Sequence, residues 1–240
     1  MIKATLIDYM GSDLTVVNAA RVSFGKQSEW EIVEEFVEVE ADGDVLVWPD
    51  DIRRLSDKDT KLIKYLATHG HISPFGHAFA SFHVKAPIFV ARQLVKHKFL
   101  RWNEISRRYV DDEPEFYVPD VWRGRSADKK QGSEGVSLWN HGQGTGYREG
   151  EYEVMDSVLA LYKRMINVGV APEQARMILP QSTMTEWYWS GSLDAFASMC
   201  NLRLKPDTQY ESRLVAQQID EVMKGLYPVS WAALVGDSHE

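Results

Sequence analysis

The chain has 240 residues, a formal net charge of −8, 44% hydrophobic and 26% charged residues. This balance is that of an ordinary globular domain, and the acidic total argues against a broad nucleic-acid surface, which needs many cations to neutralise phosphates. A single cysteine, Cys200, excludes an intramolecular disulfide. The N-terminal apolar run is too short for a signal peptide, and no run of about 18 apolar residues occurs. We therefore expect a cytoplasmic protein with no membrane span.

The first half of the chain mixes predicted strands and helices. Residues 2–10 alternate well enough for an opening strand, and residues 40–51 are typical of an acidic turn or short hairpin. Residues 56–70 carry the apolar stripe and the caps of a helix. Residues 78–84 alternate as a second strand, and a helix beginning at Pro87 follows.

Helices dominate the second half. Residues 123–150 are rich in glycine, serine and charge, which predicts a loop inserted into one domain rather than a linker between two. Residues 182–192 are aromatic and β-branched, as in a strand. The helical patterns lie at residues 151–169, 172–180, 192–203 and 207–226. The order predicts a single α+β domain over residues 1–240.

Residues 92–110 form a basic segment on this acidic background. Helical spacing places Gln93 one turn from His97. Arginine binds phosphate through paired donors, so the segment predicts a site for one or two phosphorylated ligands. Asn103 suits the amide edge of a base, because it both donates and accepts. A solvated basic face neutralised by Glu104 is the alternative, with about equal weight from composition alone.

Three other features are weaker candidates. Four of the seven histidines fall between residues 69 and 83, but that stretch has no Cys, Asp or Glu and no standard ligand spacing, so we expect no metal. Cys200 lies in an apolar helical stretch, which favours a buried core residue over a nucleophile. Arg176 and Arg203 lie in apolar surroundings and need an anionic or hydrogen-bonding partner, either a ligand or an interface salt bridge.

The segment "KHKFLRWNEISRRY" carries a recognisable motif. It resembles the signature of flavin-dependent thymidylate synthases, which reads R-H-R, seven residues, then S-x-R, and here falls on residues 96–98 with Ser106 and Arg108. Other segments resemble the family in family order: "DLTVVNAARVSFGK", "LATHGHISPFGH", "FHVKAPIFVARQ", "RRYVDDEPEFYVPDVWR", "ARMILPQSTMTEWYW" and "NLRLKPDTQYE". The resemblance spans most of residues 1–228.

This resemblance implies the reductive methylation of dUMP to dTMP. Methylenetetrahydrofolate would supply the carbon and NADPH the hydride, which a non-covalently bound FAD would carry. The implied fold is a central antiparallel sheet flanked by helices, and the implied assembly is a homotetramer with shared active sites. A related pyrimidine substrate or a hydroxymethyl transfer on the same fold is the alternative. A single-strand nucleic-acid binder is a less favoured one.

The resemblance also implies roles for individual residues. Arg203 would be catalytic, held against the uracil edge to favour its deprotonated form, and His71 would lie near the flavin face and the folate. The residues implied to bind dUMP are Gln93, Lys96, Glu104, Ser106, Arg107, Arg108, Arg176 and Arg203. The residues implied to bind FAD are Ser73, Lys96, His97, Lys98, Asn103, Glu104, Ser192 and Ser198.

The sequence departs from the family pattern around the flavin. Lysine replaces arginine at both ends of the triplet, which keeps the charge but loses the planar fork. Gly76 stands where a glutamate is usual, and Asp207 where a histidine is usual. Contacts usually made by Asn and Arg would fall on Ser192, Asp194 and Ser198. Because a carboxylate would repel a pyrophosphate, we expect Asp194 to point elsewhere.

Overall fold

The structure is a computed structural model that describes residues 1–41, 44–110, 112–127, 133–137 and 147–236, with the backbone alone at 34–41, 44–51 and 147–149. The strands are β1 (Lys3–Met10), β2 (Glu31–Ala41), β3 (Asp44–Arg54), β4 (Phe79–Pro87), β5 (Leu100–Glu104), β6 (Arg123–Arg125), β7 (Ser133–Val136) and β8 (Met184–Ser192). The helices are α1 (Asp13–Arg21), α2 (Asp57–Thr68), α3 (Ile88–Leu94), α4 (Tyr147–Asn167), α5 (Pro172–Ala175), α6 (Leu193–Arg203), α7 (Tyr210–Leu226) and α8 (Pro228–Val235).

Four of these strands form a central sheet in the order β1-β4-β8-β5, and each neighbouring pair is antiparallel. Side chains alternate between its faces. Phe82 and Val84 of β4 and Trp187 and Trp189 of β8 are fully or almost fully buried on one face, whereas Tyr188 on the other face is 51% exposed. The sheet is thus covered on one side within the chain. Two separate hairpins, β2-β3 and β6-β7, lie outside it.

Helices α6, α7 and α8 pack together beside this sheet and complete the core. Phe196 of α6 meets Phe82 and Trp189 edge-on, with ring centroids 5.3 and 5.6 Å apart. Trp102 of β5 stacks on Trp187 at 4.3 Å. Truncating such a buried aromatic to alanine costs about 3–5 kcal/mol. This aromatic core fixes α6 and also β5, which lies within the basic segment.

A buried carboxylate ties the N-terminal elements together. Asp59 in the first turn of α2 accepts hydrogen bonds from Arg21 Nε, Ser28 Oγ and Ser56 Oγ at 3.0, 3.0 and 2.8 Å. Burial alone would raise the pKa of Asp59, but the hydrogen bonds from Arg21 and the two serines hold it below its ordinary value. The side chains of Arg21 and Asp59 are only 14% and 4% exposed. This ion pair has a structural role, because it joins α1 to α2.

The predicted α+β class with a central antiparallel sheet is confirmed. The predicted short hairpin at 40–51 is too small, because the β2-β3 pairing runs from Glu31 to Arg54. The predicted helix at 172–180 ends early at Ala175 and continues as a 3₁₀ turn, Arg176–Ile178. The segment 123–150 is not only loop: it contains β6, β7 and the start of α4, while residues 128–132 and 138–146 lie outside the described residues. In the described part of the chain, no helix has the length and apolarity to cross a membrane.

Candidate active site

Two cavities adjoin the C-terminal end of α3, and Lys96 lines both. The first, of about 660 Å³, is bounded by residues 96–99 and by α6. The second, of about 640 Å³, is bounded by Gln93, by the segment that follows α6, and by the β6-β7 hairpin. Both volumes fall within the range of small-molecule sites in proteins.

A strained turn holds the basic triplet between α3 and β5. Phe99 adopts a φ of 66°, in the left-handed region that non-glycine residues rarely occupy. Across the sheet, Gly191 lets β5 approach β8 closely, since a Cβ at that position would overlap the Leu100 side chain and lie 3.1 Å from the Phe99 carbonyl oxygen. Backbone strain of this kind is retained where the surroundings enforce it. The sheet edge therefore determines the position of residues 96–98.

The first cavity combines cations with one unexpected carboxylate. Lys96, His97, Lys98 and Ser198 line it, and so does Asp194 in the first turn of α6. The expectation that Asp194 points away from a flavin pyrophosphate stays a prediction, because Asp194 lines the cavity while its Oδ1 is buried. Its Oδ1 is buried within the protein and has no hydrogen-bond partner among the described residues.

Arg203, the last residue of α6, reaches into the second cavity. Its Nε donates to His97 Nε2 at 2.9 Å, and its Nη2 donates to the Gln93 carbonyl oxygen at 3.4 Å. Both acceptors are neutral, and no carboxylate forms an ion pair with Arg203 in the described ranges. Burial lowers the pKa of Arg203 from its ordinary value. A partly buried guanidinium with an uncompensated charge favours an anionic ligand.

His97 is the group that orients Arg203. Burial, together with the positive charge of Arg203, lowers the pKa of His97 to about 4. The imidazole is therefore neutral at physiological pH. Because Nε2 accepts from Arg203, the ring proton belongs on Nδ1. His97 is thus placed as an acceptor for Arg203 and as a donor on its other side.

Gln93 connects this pair to α7. Its side chain hydrogen-bonds Gln209, and its Oε1 accepts from Ser212 Oγ at 3.1 Å. Gln93 lines the second cavity, as do Lys205, Asp207 and Gln209. Sequence reasoning did not assign Lys205 or Gln209 to the site. Their position directly after Arg203 in "NLRLKPDTQ" is the only signal that could have indicated them.

The second half of the basic segment lies elsewhere. Glu104, at the end of the edge strand β5, accepts hydrogen bonds from Thr185 Oγ1 at 2.7 Å and from Trp102 Nε1 at 3.1 Å. Ser106 Oγ accepts from Arg108 Nε at 3.0 Å. The residues of this group, none of which lines either cavity, are Asn103, Glu104, Ser106, Arg107 and Arg108. Asn103, Glu104 and Arg108 are exposed. Within one chain the structure does not bring them to Arg203.

Four other predicted residues also lie outside the two cavities. His71 is exposed, with its ring 5.9 Å from that of Tyr65, and Ser73 is exposed in a 3₁₀ turn. Arg176 is exposed, and its Nε donates to the Glu173 carbonyl oxygen at 3.3 Å. Ser192 is the half-buried N-cap residue of α6. The assigned set therefore separates into a clustered group around Lys96 and an outlying group.

Two adjoining cavities that are lined by cationic side chains suit the binding of phosphorylated ligands. The model of the family described as "Thymidylate synthase complementing protein" matches residues 5–229. The chain belongs to the flavin-dependent thymidylate synthase family, and the resemblance in its sequence is confirmed.

Individual relatives and a solved structure support the same family assignment. One flavin-dependent thymidylate synthase of Thermus thermophilus is 37% identical over 228 residues, covering 95% of this chain and 73% of the relative. That of Kosmotoga olearia is 37% identical over 230 residues, covering 96% and 88%. The crystal structure of a UMP/dUMP methylase, PolB from Streptomyces cacaoi, bound with 5-Br dUMP, has a TM-score of 0.75 and 31% identity, and covers 100% of this chain and 97% of that one.

Proposed function

We propose that this protein is an FAD-dependent thymidylate synthase that converts dUMP to dTMP, with methylenetetrahydrofolate as carbon donor and NADPH as reductant. The observation that carries the proposal is Arg203, whose charge is uncompensated in the described chain: it lines the second cavity and donates to His97, which lines the first. Homology supports the reaction class.

The residues of the first cavity fit a flavin dinucleotide. Lys96 and Lys98 supply positive charge for a pyrophosphate. The hydroxyl of the exposed Ser198 suits the hydroxyl and N–H groups of the ligand. Apolar side chains such as Ile72 line the same cavity. When bound, FAD supplies the hydride transfer.

The second cavity suits the nucleotide. Lys96, Lys205 and Arg203 line it, and Asp207 is the one acidic residue among its described lining residues. We assign Arg203 the catalytic role: its guanidinium stabilises negative charge on the pyrimidine, and His97 fixes its direction. Cys200 cannot serve as a nucleophile at this place, because it is fully buried and burial raises the pKa of its thiol well above the ordinary value.

The outlying group of assigned residues has a role if active sites are shared. In a homotetramer, the second half of the basic segment would complete the site of a neighbouring subunit. What supports this is that Glu104, Ser106, Arg107 and Arg108 lie together at the edge of the sheet but outside the cavities of their own chain. We give the same shared-site role to four other residues that lie outside the cavities of their own chain, namely His71, Ser73, Asn103 and Arg176. Ser192, beside the first cavity at the start of α6, stays assigned to FAD.

We also propose that residues 1–240 act as a single domain, with the segment 123–150 as an insertion. The two ends of the described chain pack together: the Ala4 backbone N–H donates to Gln218 Oε1 at 2.9 Å. Tyr227 Oη donates to the Met10 carbonyl oxygen at 3.0 Å.

Product analysis tests the function. The purified protein is loaded with FAD, passed through a gel-filtration column and incubated with dUMP, methylenetetrahydrofolate and NADPH. We expect flavin absorbance that is released on denaturation, and a product one CH₂ heavier than dUMP by mass spectrometry. A colourless protein would contradict the cofactor assignment. A product heavier by CH₂O would instead identify hydroxymethyl transfer.

One comparison favours a second substrate. The solved structural neighbour is a methylase of both UMP and dUMP. The same assay is therefore run with UMP in parallel. Methylation of UMP at a comparable rate would change the proposal from a thymidylate synthase to an enzyme acting on both pyrimidine nucleotides.

A further inference from the structure

Arg123, the first residue of β6, separates two cavities. It lines the second cavity beside Gln93, and it also lines a third cavity of about 980 Å³ whose walls include Tyr117, Val136 and Leu214. Neither composition nor the family motif assigned this residue a role. Its side chain is the partition between a candidate nucleotide site and a larger, more apolar space.

A dense set of contacts fixes the guanidinium. Its Nη2 donates to both carboxylate oxygens of Glu211, at 2.6 and 2.8 Å, and its Nε donates to Ser133 Oγ at 2.7 Å. The Tyr210 ring centroid lies 4.7 Å from the guanidinium carbon, and Tyr117 Oη donates to Glu211 Oε1 at 3.4 Å. The side chain of Glu211 is only 4% exposed and that of Arg123 is 27% exposed. The pair joins the hairpin to the first turn of α7.

That same turn of α7 supports the candidate site. Ser212, next to Glu211, donates to Gln93 Oε1 at 3.1 Å, and Gln209 also hydrogen-bonds the Gln93 side chain. The Gln93 carbonyl oxygen in turn accepts from Arg203. A continuous chain of contacts therefore runs from the hairpin, through α7 and α3, to the proposed catalytic arginine.

We propose that Arg123 is a positioning residue for the nucleotide site: by pairing with Glu211 it holds the hairpin as a wall of the second cavity and fixes the turn of α7 that orients Gln93. This inference rests on the proposed function. Direct binding of the substrate anion by Arg123 is the competing role. The contact of Nη2 with both oxygens of Glu211 argues against it, because the charge of Arg123 is already neutralised, in contrast to that of Arg203.

The test is the binding of dUMP to FAD-loaded protein, measured by calorimetry without the other substrates, together with KM and kcat for dUMP. For Arg123→Ala we expect the dUMP Kd and KM to rise about 10- to 100-fold, the order of loss when a supporting residue is removed and the site shifts by about 1 Å. We expect kcat to fall by less than about threefold, and the bound flavin per chain to stay unchanged. Arg123→Lys keeps the charge but loses the fork, so we expect an intermediate Kd.

The charge swap separates the two roles. Arg123→Glu combined with Glu211→Arg restores the ion pair but moves the cation. If the pair acts by positioning, the swap returns the dUMP Kd to within about tenfold of the wild-type value, while each single charge change does not. If the swapped protein binds flavin but binds dUMP as weakly as Arg123→Ala does, Arg123 contacts the ligand directly and the inference is wrong.

A matched control is the Arg21→Ala variant. It removes a second buried arginine–carboxylate pair, with Asp59, that lines neither candidate cavity. We expect a lower melting temperature but an unchanged dUMP Kd. An equal rise of Kd in both variants would mean a general loss of stability and would overturn the inference. If the wild-type protein itself binds no dUMP, the proposed function fails, whereas normal binding by Arg123→Ala refutes only the positioning role.

Discussion

The neutral state of His97 should be measurable as a pH dependence of folding. In the folded protein the pKa of this imidazole is about 4, against an ordinary value of 6.5. Between these two pH values the unfolded chain binds a proton that the folded chain does not. His97 therefore contributes stability that is fully present above pH 6.5 and is lost as the pH falls towards about 4.

The size of this loss follows from the pKa difference. The difference corresponds to at most about 3 kcal/mol of unfolding free energy. Solvent screening of a ring that is not fully buried reduces this to about 2 kcal/mol. His97→Gln provides the comparison, because the introduced amide retains an acceptor for Arg203 but does not titrate.

The assay is urea unfolding of both proteins at several pH values between 6.5 and about 4. The remaining titratable groups are common to both, so the difference between the two stability curves isolates His97. We expect the unfolding free energy of the wild type to fall by about 2 kcal/mol more than that of His97→Gln. Parallel curves would refute the reasoning, since they would show an imidazole that stays hydrated in the folded protein.

Two further predictions concern the chemistry. Arg203→Ala should slow single-turnover oxidation of reduced flavin with dUMP and methylenetetrahydrofolate by about 100- to 1000-fold. Arg203→Lys should recover only part of this rate, because an ammonium lacks the planar fork. If Arg203→Ala oxidises flavin at the wild-type rate and forms dTMP, Arg203 has only a structural role. Cys200→Ala should keep turnover within about tenfold, because the thiol is buried and its Sγ donates to the Ala216 carbonyl oxygen at 3.8 Å. A folded but inactive Cys200→Ala protein would argue for a thiol nucleophile instead.

Local sequence patterns predicted an element correctly where a single physical requirement determines which residues it contains. The alternation in residues 78–84 and the aromatic β-branched run 182–192 identified two central strands, because half-buried strands need a period of two. The early end of α5 was not predictable, since the 3₁₀ turn that follows depends on how residues 176–178 meet the rest of the protein. The β6-β7 hairpin was missed because its sequence has loop composition. Its stability comes from a distant partner, the Glu211 carboxylate.

The candidate site likewise contains residues that the sequence could identify and residues that it could not. Lys96, His97 and Arg203 could be selected by motif resemblance, and the structure brings the last two together across 106 positions of sequence. The place of Asp194 on the wall of the first cavity was not predicted, because repulsion from a pyrophosphate is only one of the interactions open to a carboxylate. Arg123 ends one of the segments that resemble the family, but its partner could not be predicted, since an ion pair between residues 88 positions apart leaves no trace in local spacing.

The departures from the family pattern at positions 96, 98 and 194 all change the polar groups that line the first cavity. Lysine at positions 96 and 98 supplies point charges that are strongly hydrated and do not bind phosphate oxygens in pairs. In the same cavity Asp194 adds a carboxylate with a buried oxygen that has no described partner. In the proposed FAD site we therefore expect these lysines to contribute charge, but fewer paired hydrogen bonds to the phosphates than arginines would. The neutral His97 fits this arrangement, because a protonated ring between Lys96, Lys98 and Arg203 would add a fourth positive charge and would lose the lone pair that holds Arg203 in place.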